Sequence, residues 1–234
     1  MERNEVESSF VRMFHVWKRY GRKNALVDVS LDIAEREFLF ITGPSGAGKS
    51  TLLKLLYLGE RVNEGHVIVD GQNLSRISRR QIPYLRRKFG VIFQDFKLIE
   101  TKNVFANVAL VVEALGTRPR LVKKKVNSVL RTVGMEKKAK SFPLSLSGGE
   151  QQRVAVARAI AGDPKIILAD EPTASLDTGS AEAIFHLLQL YHRRGATVII
   201  ATHDTALIRK TGGRVVLLDS GRLETSTVIP KLPV

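Results

Sequence analysis

Three short stretches of the sequence gather residue types that handle phosphate. The first, Gly43-Pro44-Ser45-Gly46-Ala47-Gly48-Lys49-Ser50 followed by Thr51, matches G-x-x-x-x-G-K-[ST] in full. Glycines let such a loop curl until its backbone N–H groups point at an anion, and the N-terminus of a following helix adds the positive end of a dipole. Lys49 then supplies the full positive charge for the β- and γ-phosphates, and the Ser50 hydroxyl is a Mg²⁺ ligand. In the second stretch, residues 166–171, four apolar residues end in the adjacent carboxylates Asp170 and Glu171. Asp170 suits a hold on Mg²⁺, and Glu171 suits orienting or deprotonating an attacking water. The third, Leu146-Ser147-Gly148-Gly149-Glu150 followed by Gln151-Gln152-Arg153, opens a helical pattern. Ser147 is placed to cap that helix, and two glycines permit close approach to a phosphate. Each stretch alone has a bland reading: a glycine-rich turn, an acidic surface turn, a Ser-Gly linker. Together they point to hydrolysis of a nucleotide bound with Mg²⁺.

Positioning these residues needs particular elements. Residues 38–41 form a continuous apolar run of the buried-strand type, and residues 50–57 read as a helix, so the phosphate loop lies between strand and helix. The alternation of Phe14, Val16 and Lys18, a turn at Tyr20-Gly21 and the run over 27–33 predict an antiparallel sheet before it. Short strands are expected at 66–70 and 89–93. From about residue 97 to 162 the apolar residues take helical spacing, among them Val104, Val108, Val122, Val126, Leu130, Val154 and Ile160. Strand-type runs resume at 166–169, 197–201 and 215–218, with helices expected at 181–192 and 205–210. Strands alternating with helices indicate a parallel sheet with crossover helices, which makes the chain α/β. The expected organisation is one domain over 1–234, with 11–95 and 163–225 forming the catalytic α/β core and 96–162 an inserted all-helical subdomain. The tails at 1–10 and 226–234 are expected to be short and frayed.

Composition narrows the setting. Hydrophobic residues make up 44% of the 234 but occur in short runs; none approaches the roughly 20 apolar residues of a membrane helix. Residues 1–5 carry no pattern of a secretory signal, so the chain is expected to stay in the cytoplasm. There is no cysteine, which removes disulfides, thiolate metal sites and a cysteine nucleophile together. The formal net charge of +14 comes with basic clusters at 79–80, 86–88, 123–125 and 137–138, and suggests an anionic neighbour or a solvated basic face. Aromatic residues are only 6% and no base-reading module is recognisable, so no nucleic acid is expected as partner; an anionic inner-leaflet surface accounts for the same charge.

With all three stretches in this order, the sequence resembles the nucleotide-binding subunits of ATP-binding-cassette (ABC) transporters over about residues 11–224. The resemblance implies a P-loop NTPase (RecA-like) core, ATP and Mg²⁺ as cofactors, ATP hydrolysis, and a second copy paired head-to-tail. In that pairing Ser147, Gly148, Gly149 and Glu150 reach the ATP of the opposite subunit, and the 175–177 segment, Ser175-Leu176-Asp177, touches it. The resemblance also assigns Tyr20 to stacking on adenine, Gln94 to Mg²⁺ and the attacking water, and His203 to the γ-phosphate. More narrowly, residues 90–98 and 103–110 resemble the cell-division (FtsE) branch, which implies an integral membrane partner resembling FtsX on the cytoplasmic face of the inner membrane. The sequence departs from the usual text of that branch at 100–102 and 111–112, in the region expected to face the partner. The same chemistry attached to a lipoprotein-releasing or macrolide-type exporter is the alternative, and a soluble cassette acting on DNA or ribosomes is a third reading.

Overall fold

A computed structural model describes residues 9–174 and 176–230. The chain begins with β1 (Val11–Tyr20), β2 (Lys23–Ile33), β3 (Phe38–Thr42), α1 (Lys49–Leu56), β4 (Glu64–Val69) and the two-residue β5 (Gln72–Asn73). Next come α2 (Ile82–Arg86), β6 (Phe89–Ile92), α3 (Val104–Ala114), α4 (Pro119–Thr132), 3-10 turns at Glu136–Lys138 and Pro143–Ser145, and α5 (Gly148–Ile160). The chain closes with β7 (Ile166–Asp170), α6 (Thr178–Arg193), β8 (Thr197–Ala201), α7 (Thr205–Thr211), β9 (Gly213–Asp219) and β10 (Arg222–Ile229). Contacts divide the described residues into two compact units, one formed by the residues up to 86 with those from 197 onward, the other by 87–196.

The first unit holds two sheets. One is antiparallel, in the order β2-β1-β4-β5. Val11, Met13 and Val16 of β1 turn inward while Phe14 and His15 face out, and the register slips there with His15 and Asp28 at φ 46° and 53°, the signature of a bulge. In the other sheet β3 lies between β8 and β9 and is parallel to both. Residues 38–41 and 197–201 are buried throughout, as expected of parallel strands covered on both faces. Helix α1 buries Leu52, Leu53, Leu55 and Leu56.

β10 pairs antiparallel with β9 from Arg222↔Asp219 to Ile229↔Gly213, which corrects the expectation of a frayed tail from residue 226. Its residues are mostly exposed and polar, so no apolar period announces the strand; β9 supplies the hydrogen-bonding edge that orders it.

The second unit pairs β6 with β7 in parallel, Phe89↔Ile166 to Ile92↔Ala169; α5 packs on β6, and α3, α4 and α6 pack on α5. Each helix start has a local cause. The Asn103 side chain accepts from the Ala106 N–H to cap α3, Pro119 opens α4, and Asp177 caps α6 by accepting from the Ser180 N–H.

Candidate functional site

In the first unit the phosphate loop leaves the end of β3 and enters α1. Gly43, Gly46 and Gly48 have φ of 143°, 79° and 111°, the left-handed half of the map that side chains disfavour. Two of them are also required by space. A Cβ on Gly43 would lie 1.9 Å from the Leu218 carbonyl oxygen, and one on Gly48 would lie 2.4 Å from that of Ala25. The Ser220-Gly221 turn backs the loop: the Gly221 N–H donates to the Ala47 carbonyl at 3.0 Å, and the Val27 N–H donates to the Gly221 carbonyl at 2.8 Å. Lys49 is buried, and its Nζ donates to the carbonyls of Gly43 at 2.7 Å and Pro44 at 3.1 Å. The ammonium therefore closes the loop on itself as well as charging it. Pro44, Ser45 and Gly46 are exposed, Ala47 is buried, and Ser50 and Thr51 are half-buried on the first turn of α1.

Two further predicted residues belong to this unit. Tyr20 ends β1, half-exposed, with the Lys18 ammonium 4.8 Å from its ring centre; Lys18 itself is buried and anchored by Glu60 at 2.8 Å and the Arg61 carbonyl at 2.9 Å. His203 follows β8 at the same strand ends as the loop, since Ile41 pairs with Ala201. It lies between buried Thr202 and Asp204, whose N–H donates to Thr202 Oγ1 at 3.1 Å and whose carboxylate caps α7 by accepting from the Leu207 N–H at 3.0 Å.

In the second unit the β6–β7 register brings Gln94 to the same edge as Asp170 and Glu171. Gln94 is exposed, and the chain beyond it turns through Phe96 and Lys97 at φ 58° and 50°. Arg158 of α5 holds this turn by donating to the carbonyls of Phe96 at 2.8 Å and Lys97 at 2.5 Å; burial pushes its pKa below the ordinary arginine value. The loop after the turn is tied by Asn107, fully buried on α3, which accepts from the Ile99 N–H and donates to the carbonyls of Ile99, Lys102 and Asn103 at 2.8–3.1 Å. Asp170 and Glu171 are half-buried, and Glu171 has φ 45°.

Ser147 caps α5 in a reciprocal box: its hydroxyl accepts from the Glu150 N–H and its own N–H donates to Glu150 Oε2 at 3.0 Å. Glu150 Oε1 pairs with Lys138. The lysine first, and then the Ser147 N–H, hold the Glu150 carboxyl below its ordinary pKa. Gly149 has a reason within its own chain, since a Cβ there would lie 2.4 Å from Ser180 Oγ on α6; Gly148 has room to spare. Asp177 is exposed, and hydrogen bonds from Ser180 lower its pKa. Ser175 lies outside the described residues.

Residues 26–174 match the ABC transporter family. The chain belongs to that family. Among its relatives are the cell division ATP-binding proteins FtsE of Streptococcus pneumoniae, 42% identical over 92% of this chain and 94% of the relative, and of Escherichia coli, 43% identical over 91% and 96%. Among solved structures it is similar to a dimeric ATP-binding cassette in a post-hydrolysis state bound to ADP and Pi, with 35% identity and a TM-score of 0.86 over 95% of this chain and all of that one. The fold is that of ABC ATPase cassettes, and the chain is an ATP-hydrolysing enzyme of this type.

Asn107, Gln152, Arg158 and the Ser220-Gly221 turn carry no motif that announces their roles. Their partners are backbone groups brought near by tertiary folding, which no local spacing encodes.

Proposed function

We propose that the chain is the ATP-binding and ATP-hydrolysing subunit of an FtsEX-like complex on the cytoplasmic face of the inner membrane, where MgATP turnover is coupled to control of cell division and cell-wall hydrolysis. The observation that carries the ATP reading is the loop over 43–50, a glycine cradle braced by Leu218 and Ala25 with Lys49 held ready at its centre. The cell-division reading is supported by the names of the FtsE relatives, each aligned over more than nine-tenths of the chain.

In this reading Gly43 to Thr51 bind the phosphates, Ser50, Gln94 and Asp170 hold the Mg²⁺ that enters with ATP, and Tyr20 stacks on adenine. Hydroxyl and carboxylate oxygens are the hard donors that suit Mg²⁺, with phosphate oxygens and water completing its shell. Glu171 orients and polarises the attacking water, and His203 contacts the γ-phosphate. A second copy contributes Ser147, Gly148, Gly149, Glu150 and Asp177, so that ATP is part of the contact between the copies. The membrane partner, resembling FtsX, docks on the surface around residues 94–110, and the basic clusters favour an anionic lipid surface. No helix among the described residues is long and apolar enough to cross a membrane, so the pathway through the bilayer is assigned to the partner.

Two measurements test this function. Lys49→Ala is expected to abolish useful MgATP binding while the far-UV circular dichroism stays that of the folded protein; near-normal affinity would remove the loop as the phosphate site. Lys102→Glu is expected to weaken co-purification with the solubilised FtsX-like protein without changing ATP affinity. Recruitment that survives this reversal and is lost on reversing 123–125 would contradict the docking surface.

A further inference from the structure

The turn that carries Glu171 is held from behind by a residue with no assigned role. Glu171 has φ 45°, a conformation uncommon for any residue with a side chain. Proline follows it, and a proline pushes the residue before it toward extended backbone. Such a conformation persists only where its surroundings over-determine it, and it is concentrated where geometry serves function. Hydrogen bonds to the backbone of the turn help to hold it here. The Ala174 N–H donates to the Glu171 carbonyl at 3.1 Å, and Gln152 Nε2 donates to the Pro172 carbonyl at 2.6 Å.

Gln152 is an unusual choice for its place. It is 1% exposed on α5, whose neighbouring positions 154–157 are small or branched apolar residues. Its Nε2 faces a carbonyl, which fixes the orientation of the amide, and its Oε1 is buried with no hydrogen-bond partner among the described residues. Leucine or methionine would fill the space without stranding a polar atom, so the amide is a poor device for stability alone. What it contributes is a directed tie to one carbonyl, adjacent to Glu171. The tie has a firm base, because α5 is capped at Ser147 and packs through Gly149 against Ser180.

We infer that Gln152 is a positioning residue for hydrolysis: its hydrogen bond to the Pro172 carbonyl keeps the 171–174 turn in the conformation that aims the Glu171 carboxylate. The inference rests on the reading of Glu171 as the residue that orients the water. Loss of the tie lets the turn relax, and a displacement of about 1 Å in a reacting group costs up to about 100-fold in rate.

The test is a double-mutant cycle on the full chain with MgATP. Gln152→Met removes the donor at similar volume. Expected are a fall in kcat of about 10- to 100-fold, an affinity for a fluorescent ATP analogue within about twofold of wild type, and a melting temperature unchanged or raised. In a Glu171→Gln background the same substitution should change the residual rate less than about twofold, because the residue it acts through is already disabled. Gln152→Glu supplies a second readout. Its buried carboxyl will hold a proton more tightly than usual and can donate only when protonated, so its kcat relative to wild type should rise as pH falls. Unchanged kcat in Gln152→Met, an equal fall in both backgrounds, or a pH-independent ratio for Gln152→Glu overturns the positioning role. Wild-type turnover by Glu171→Gln alone would instead overturn the assignment of Glu171 on which the inference stands.

Discussion

Replacing Gly48 by alanine adds a single methyl group at a closely confined point of the phosphate loop. Two costs follow from the geometry. At φ 111° an L side chain is strained by about 1–3 kcal/mol. The new Cβ would also lie 2.4 Å from the Ala25 carbonyl oxygen and 2.9 Å from Leu26 Cδ2. The carbonyl belongs to β2 and cannot swing aside, so overpacking adds about 1–3 kcal/mol. The sum, about 2–6 kcal/mol, corresponds to a drop in melting temperature of about 5–20 °C for a chain of this size. Gly71 provides the control: its φ is 73°, but nothing lies within 4 Å of an added Cβ, so Gly71→Ala carries only the first cost. Thermal melts followed by circular dichroism should therefore rank wild type above Gly71→Ala above Gly48→Ala. At a temperature where both variants are folded, only Gly48→Ala should lose ATP affinity, because only there does the loop lose its curvature. If Gly48→Ala melts with Gly71→Ala, or binds ATP as wild type does, the cradle is not held by the contacts described.

Two further outcomes follow from the second unit. Gly149→Ala is expected to destabilise the fold by about 1–3 kcal/mol through its collision with Ser180, and Ser180→Gly should restore most of the loss in chemical denaturation; absence of rescue would refute the packing cause. Glu150→Gln is expected to cost about 0.5–2 kcal/mol at neutral pH by weakening the capping box and the pair with Lys138. Because the Glu150 carboxyl titrates below its ordinary value in the folded chain, its contribution is complete above the unfolded pKa and fades as pH falls through the lowered one. Denaturation curves of wild type and variant should then converge at acid pH, and a gap that widens on acidification would reverse the assignment.

The parts of this protein that are legible in its sequence are those whose cause is local. The run over 38–41 is apolar throughout because β3 is covered on both sides, and the cap at Ser147 and the glycines of 43–48 are chemical requirements of a few consecutive residues. β10 is not legible in the sequence because its order comes from β9 rather than from its own exposed and polar side chains. The strain at Glu171 was equally hidden, since Asp-Glu-Pro reads as an ordinary turn until α5 places Gln152 against the Pro172 carbonyl. Glu150 is a third case: beside the capping partner Ser147 it pairs with Lys138, 12 positions earlier, a partner that the motif itself does not announce. Asn107 and Arg158 act on backbone carbonyls 4 to 62 positions away, a reach that periodicity and motif spacing do not encode.

The central claim is that ATP is shared between two copies of the chain, bound by the loop of one and closed over by Ser147, Gly148 and Gly149 of the other, with Glu171 driving the hydrolysis that separates them. Glu171→Gln keeps the size of the side chain and removes the carboxylate, so the chemical step should slow by about 10²–10⁴-fold while ATP binding persists. The most direct measurement is the mass of this variant in solution by light scattering after size exclusion, at saturating MgATP and without nucleotide. One chain is expected without nucleotide and two chains with MgATP. A single-chain mass at saturating MgATP would contradict the claim.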